Sequence, residues 1–199
     1  MNKKILLITA VLVMGVVVGL FYWFNRSVPF YPTINSPRPF QGSRESKVQL
    51  EVFSDFQCPA CKAAESLVKE VIQTFGDKIG YSFKHYPLIV IHTQAFGAAL
   101  ASECANDQGK FWEYHDVLFS KQPEFSETQL ISYAKELGLK EQDFSNCLQA
   151  KSKADVVRED MKQGDERKVD STPTFFINGE KVVKWPDLKS IIQAKLLGA

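Results

Sequence analysis

Two cysteines three positions apart, in Cys58-Pro-Ala-Cys61, carry the first chemical signal in the chain. A thiolate is the nucleophile of disulfide exchange, and a second thiol one helical turn on can close a disulfide with it. The same spacing occurs as half of a zinc site, and Cys104 and Cys147 could in principle supply the other half. Zinc pairs are usually held in tight loops, however. Here Val48-Gln-Leu-Glu-Val-Phe-Ser-Asp55 reads as a strand leading into the pair, and Pro59 opens a helix after it. No metal and no cofactor are therefore expected. A purely structural bridge is also disfavoured, because so short a loop gains little unfolded-state entropy. The expectation is a redox-active dithiol. Cys58, at the helix start, meets free N–H groups and the positive end of the dipole, which favour its thiolate. It is the attacking and attacked sulfur, and Cys61, shielded by the helix, is the resolving one.

A second signal is Thr172-Pro173, directly before the apolar run Thr174–Ile177. An X-Pro bond at such a strand entry suits a cis peptide. The loop would face the Cys58 sulfur, and the Thr172 backbone could pair with an extended substrate as an added strand. Taken alone, Pro173 would read as an ordinary strand-entry proline; the cysteine motif upstream decides for the binding role.

These residues must be positioned by the elements around them. The cysteine helix runs to about Phe75, with Ala63, Leu67, Val68, Val71, Ile72 and Phe75 at helical spacing. Ile79 to His85 alternates as a second strand. From about His92 to Lys168 the pattern is helical. One helix is suggested around Ala95–Ala101 and another over Phe111–Phe119. A third follows the capping box Ser126-Glu-Thr-Gln129 and stops at Gly138, a short one lies near Phe144–Leu148, and a polar one covers Ser152–Arg167. Thr174–Ile177 and Lys181–Trp185 form a hairpin about Asn178-Gly179, and Pro186 opens a terminal helix ending near Leu197. The order is βαβ, a helical block, then ββα. The expected class is α/β, a thioredoxin-like fold with a helical insertion at about 92–168.

The N-terminus sets the compartment. Residues 1–4 carry Lys3 and Lys4. Residues 5–24 are an apolar run ending in Phe21, Tyr22, Trp23 and Phe24, about the length that crosses a ~30 Å hydrocarbon core. A cleaved signal peptide is the alternative, but bulky aromatics stand where small residues should mark the cut. The reading is a cytoplasmic tail (1–4), a transmembrane signal anchor (5–24), a proline-rich linker (25–47) and an extracytoplasmic domain (48–199). In an oxidising compartment, Cys104 and Cys147 are expected to form a structural disulfide; two buried thiols are the alternative. The net charge of +1 gives no basic face for nucleic acid. Phe111, Trp112 and Phe119 are expected in the core, and His85, His92 and His115 as structural or exposed residues.

Three segments in order, Phe53-Ser-Asp-Phe-Gln-Cys-Pro-Ala-Cys61, Gln108-Gly-Lys-Phe-Trp-Glu-Tyr-His115 and Thr172-Pro-Thr-Phe-Phe-Ile-Asn-Gly179, resemble the DsbA-like thiol:disulfide interchange proteins. The resemblance covers about residues 48–198. It implies a redox role for Cys58 and Cys61 and a cis-proline at Pro173. The expected substrates are proteins bearing cysteine thiols or disulfides, and turnover as an oxidase would require a membrane redox partner that reoxidises the pair. The chain departs from the family's oxidase at Ala60, where that member has a thiolate-stabilising histidine, which implies a weaker oxidant. Some relatives bury an acid behind the pair. Glu51 is the nearest candidate, one residue out of step, and an exposed strand residue is the preferred reading of it. Oxidation of substrate thiols is the expected direction. Reductase or isomerase activity by the same pair is the alternative, followed by a redox-inactive peptide-binding chaperone.

Overall fold

The computed structural model describes residues 14–16 and 37–198. The anchor read over 5–24 lies, apart from 14–16, outside the described residues, and among the described residues no helix is long and apolar enough to cross a membrane.

The chain enters the sheet at β1 (Phe40–Gly42) and continues through β2 (Gln49–Ser54), α1 (Pro59–Phe75) and β3 (Gly80–His85). Five helices follow: α2 (Ala95–Asn106), α3 (Phe111–Lys121), α4 (Glu127–Glu136), α5 (Glu141–Gln149) and α6 (Ala154–Glu166). The chain closes with β4 (Thr174–Ile177), β5 (Glu180–Lys181) and α7 (Leu188–Leu197). The sheet order is β1-β3-β2-β4-β5. The pair β2–β3 is parallel, joined across α1, and the other pairs are antiparallel. This is the thioredoxin-like α/β arrangement, with α2–α6 as the inserted helical block.

Strand periodicity sorts the two faces. Leu50 and Val52 of β2 stand in register with Ile177 and Phe175 of β4, and all four join the main core with Val68 and Val71 of α1. The opposite face holds a smaller cluster of Phe53, Phe176 and Val169, edged by Tyr86. Gly164 of α6 lets that helix approach, since a Cβ there would stand 2.5 Å from the Tyr86 ring. The capping box forms: the Gln129 N–H donates to Ser126 Oγ, and the Ser126 N–H donates to Gln129 Oε1 at 3.0 Å. At the hairpin Asn178 and Gly179 both have positive φ, as a tight two-residue turn requires.

Two boundaries differ from the sequence reading. The linker read over 25–47 contains β1, which pairs antiparallel with the β3 edge as Phe40↔Ser82 and Gly42↔Gly80. Arg38, just before it, bonds Glu103 of α2 and Asp160 of α6, and Pro37 O accepts from the Asn106 side chain at 3.0 Å. So short a strand among prolines has no periodicity to announce it; its energy comes from partners about 40 positions on. The other difference is at β5, which ends at Lys181 rather than Trp185. Pro186 cannot donate to a ladder, and Trp185–Asp187 turns as a short 3-10 helix instead.

Candidate active site

Cys58 is the N-cap of α1 and Pro59 the first helical residue, so the helix begins at the sulfur-bearing residue. A proline costs nothing there, because the first N–H groups have no intrahelical acceptor. Cys58 is 7% exposed and Cys61 1%; both are free thiols. The Cys58 sulfur lies 3.3 Å from Thr172 O, to which it donates when protonated. This brings the proline loop, with a cis Thr172–Pro173 bond, against the cysteine as the sequence reading places it.

The two thiols are electrostatically unequal. Cys58 is pulled from its ordinary value down to about 5. The largest cause is the Cys61 thiol, which donates to the Cys58 sulfur; burial opposes it, and the Thr172 side chain and the N–H groups of Cys61 and Ala60 assist. Burial drives the Cys61 thiol upward, and donation of its proton to Cys58 adds to this. The site therefore holds a thiolate beside a thiol at neutral pH, which is an exchange nucleophile with a resolving partner in reserve.

Asp55, not singled out from the sequence, organises the turn in front of the cysteines. It is 1% exposed. One carboxylate oxygen accepts from the Gln57 N–H at 2.7 Å; the other accepts from the Leu88 N–H at 2.8 Å and faces His92 Nδ1 at 2.7 Å. The Asp55 N–H in turn points at the Cys61 sulfur at 3.5 Å. An aspartate bonding the N–H two residues on is a known turn device, and that spacing was the one available sequence signal. Gln122, after α3, reaches back to Phe56 O at 2.6 Å and Cys58 O at 3.0 Å. Gln57 accepts from the Gln94 N–H at 2.7 Å. The insertion is thus fastened to the cysteine turn at two points, through partners no local pattern reveals.

The remaining expected residues fall elsewhere. Glu51 pairs with Arg167 on the sheet face away from the cysteines, where the guanidinium also lies 3.6 Å from the Phe176 ring centre. It is no acid behind the pair. Cys104 of α2 and Cys147 of α5 are joined by a disulfide with a Cα–Cα separation of 5.9 Å. Phe111 and Phe119 are buried and Trp112 partly so. His85 is buried with Nε2 2.9 Å from Glu103, His92 faces Asp55, and His115 is buried beside Asp116.

Comparison with known proteins agrees with this geometry. Residues 35–194 match the family model described as Thioredoxin. The oxidised BdbD of Bacillus subtilis superposes with a TM-score of 0.70 at 26% identity, covering 81% of this chain and 91% of that one. The thiol-disulfide exchange protein alpha-DsbA2 of Wolbachia pipientis superposes with a TM-score of 0.70 at 24% identity, covering 81% and 86%, and this second likeness speaks to the fold. Among curated proteins, the Na(+)/H(+) antiporter NhaA 1 of Salinispora arenicola (strain CNS-205) is 40% identical over 141 residues, which are 71% of this chain and 22% of that protein. The chain thus spans about a fifth of the length of that relative, and the match reaches no further than the shared segment. The chain belongs to the thioredoxin family, and its fold is that of the DsbA-like thiol–disulfide oxidoreductases.

Proposed function

We propose that this thiol–disulfide oxidoreductase works outside the cytoplasm as an oxidase of substrate protein thiols, held to the membrane through residues 5–24. The observation that carries the reading is the ready ionisation of Cys58 beside a protonated Cys61. A thiolate stabilised by its surroundings stabilises the reduced enzyme, and that makes the disulfide form the stronger oxidant. The Cys104–Cys147 bridge supports an oxidising compartment.

In the forward reaction a substrate thiolate attacks the Cys58 sulfur of the Cys58–Cys61 disulfide. The enzyme's S–S bond breaks, and Cys61 leaves with the electron pair and takes up a proton. The substrate's second thiolate then attacks its own sulfur in the mixed disulfide, and Cys58 leaves as a thiolate. Two electrons have passed from substrate to enzyme, so a membrane redox partner must withdraw them for turnover. Thr172 and Pro173 line the approach to Cys58 and offer backbone to an extended polypeptide. Nearby, Ile89, Val90 and Ile91 are exposed in the loop whose Leu88 N–H binds Asp55, and Val90 is 89% exposed. Such an apolar rim suits an unfolded chain.

The test is the Cys58–Cys61 reduction potential, set beside refolding of reduced ribonuclease and reduction of insulin. A potential above the glutathione poise, with ribonuclease reoxidised, supports oxidation. A potential near that of thioredoxin, with insulin reduced faster, assigns the same residues to a reductase.

A further inference from the structure

A second polar cluster lies farther along α1 from the dithiol. Glu65 stands one turn of α1 beyond Cys61 and faces His115 of α3 across a cavity of about 380 Å³, whose walls also include Tyr81, Lys69 and Asp116. His115 is 3% exposed. It is packed among the rings of Phe56, Phe83, Phe111, Trp112 and Phe119, with ring centres 4.9 to 6.0 Å away. Its Nδ1 lies 3.0 Å from Asp116 Oδ1. A carboxylate accepts, so Nδ1 carries a proton, and in the neutral ring Nε2 then presents a lone pair. That Nε2 is buried with no hydrogen-bond partner, and 3.6 Å from it is Glu65 Oε2. The two atoms therefore face one another across a gap wider than a hydrogen bond. The buried Tyr81 hydroxyl on the same wall also lacks a partner.

We propose that Glu65, His115 and Asp116 form a binding site for a divalent transition-metal ion of the zinc type. One ligand atom from each residue lies within 4.8 Å of the other two. A nitrogen and an oxygen 3.6 Å apart suit an ion about 2 Å from each. The imidazole donor favours zinc-like ions over calcium and magnesium, which prefer oxygen shells. Glu65 and the His115 Nε2 are the inner ligands, and the half-exposed Asp116 holds the ring's Nδ1 proton, an arrangement that makes an imidazole a better ligand. The cavity leaves room for water to complete the shell. Lys69, with Nζ 3.0 Å from Asp116 Oδ2, is the nearby charge that opposes the ion.

The site is independent of the redox assignment and can be tested without it. The full chain is taken in its oxidised state, where the Cys58–Cys61 disulfide leaves no thiolate to bind zinc, and titrated calorimetrically with zinc chloride. One ion per chain is expected. Glu65→Gln should weaken binding roughly tenfold or more, and Asp116→Asn by a smaller factor. Lys69→Gln, at a half-exposed position on α1, should tighten it. X-ray absorption at the zinc edge should give a nitrogen and oxygen shell that includes imidazole. The proposal is overturned if the oxidised chain binds no zinc, if Glu65→Gln folds normally and binds as well as the parent, or if the shell contains sulfur.

Discussion

The molecule contains two cysteine pairs of opposite behaviour, and they sit at opposite ends of their helices. Cys58 caps the N-terminus of α1, where unpaired N–H groups and the positive dipole end meet its sulfur. Cys104 and Cys147 lie near the C-terminal ends of α2 and α5, where the dipole disfavours a thiolate. The first pair is local, three residues apart and present as free thiols. The second has a sequence separation of 43 and ties two helices of the insertion together. The reactivity of Cys58 comes first from the Cys61 thiol held one turn along the helix, with the backbone at the helix start adding to it.

The sharpest way to break the contrast is to remove the capping sulfur. Cys58→Ser should lower disulfide-exchange activity by at least about a thousandfold, because no other sulfur is ionised and accessible. Cys61→Ser should instead accumulate mixed disulfides, visible on non-reducing gels. Turnover retained by Cys58→Ser would end the assignment. The second pair should answer only to stability. Replacing Cys104 and Cys147 together by serine should cost about 4 kcal/mol in chemical denaturation, on the loop-entropy argument, with Cys58 ionisation unchanged.

A pH series sharpens the first half of the comparison. The folded-state value of Cys58, about 5, lies below its ordinary value of 9.0. The thiolate's contribution to the reduced form is therefore complete above about 9, shrinks as pH falls, and is gone below about 5. The stability of reduced relative to oxidised protein should rise across that window, and thiolate absorbance should titrate with a midpoint near the lower limit. A midpoint near that of free cysteine would remove the basis of the contrast. The smallest effect is expected at Thr172→Val, which deletes a buried hydroxyl whose lowering effect on Cys58 is smaller than that of Cys61. It should raise the midpoint by roughly one pH unit or less, read by the same absorbance.

Much of this was legible in the chain because the signals were local. The helix start at Pro59, the capping box Ser126–Gln129 and the turn at Asn178-Gly179 each follow from a few adjacent residues. The two motifs of the site, Cys58–Cys61 and Thr172–Pro173, could be paired because the order of elements implied their meeting. What stayed hidden depends on distant partners. Asp55 matters through Leu88 and His92, Gln122 through Phe56 and Cys58, and Glu65 through His115. The polar helix α6 gave little apolar periodicity because its anchor is a buried carboxylate. Asp160 accepts from the His85 N–H at 3.0 Å and from Lys84 at 3.3 Å, and it meets Arg38 as well.

The engagement of Arg38 has a practical consequence for anyone cutting the catalytic part free. A recombinant fragment beginning at Val48, where strand character first shows in the sequence, discards both the edge strand and a guanidinium shared by Glu103 and Asp160. Their carboxylates would stay interred with one cation fewer, a loss that at other buried pairs runs to about 3–5 kcal/mol. Such a fragment would misreport the enzyme's robustness, whereas one that starts ahead of Pro37 keeps the clasp shut.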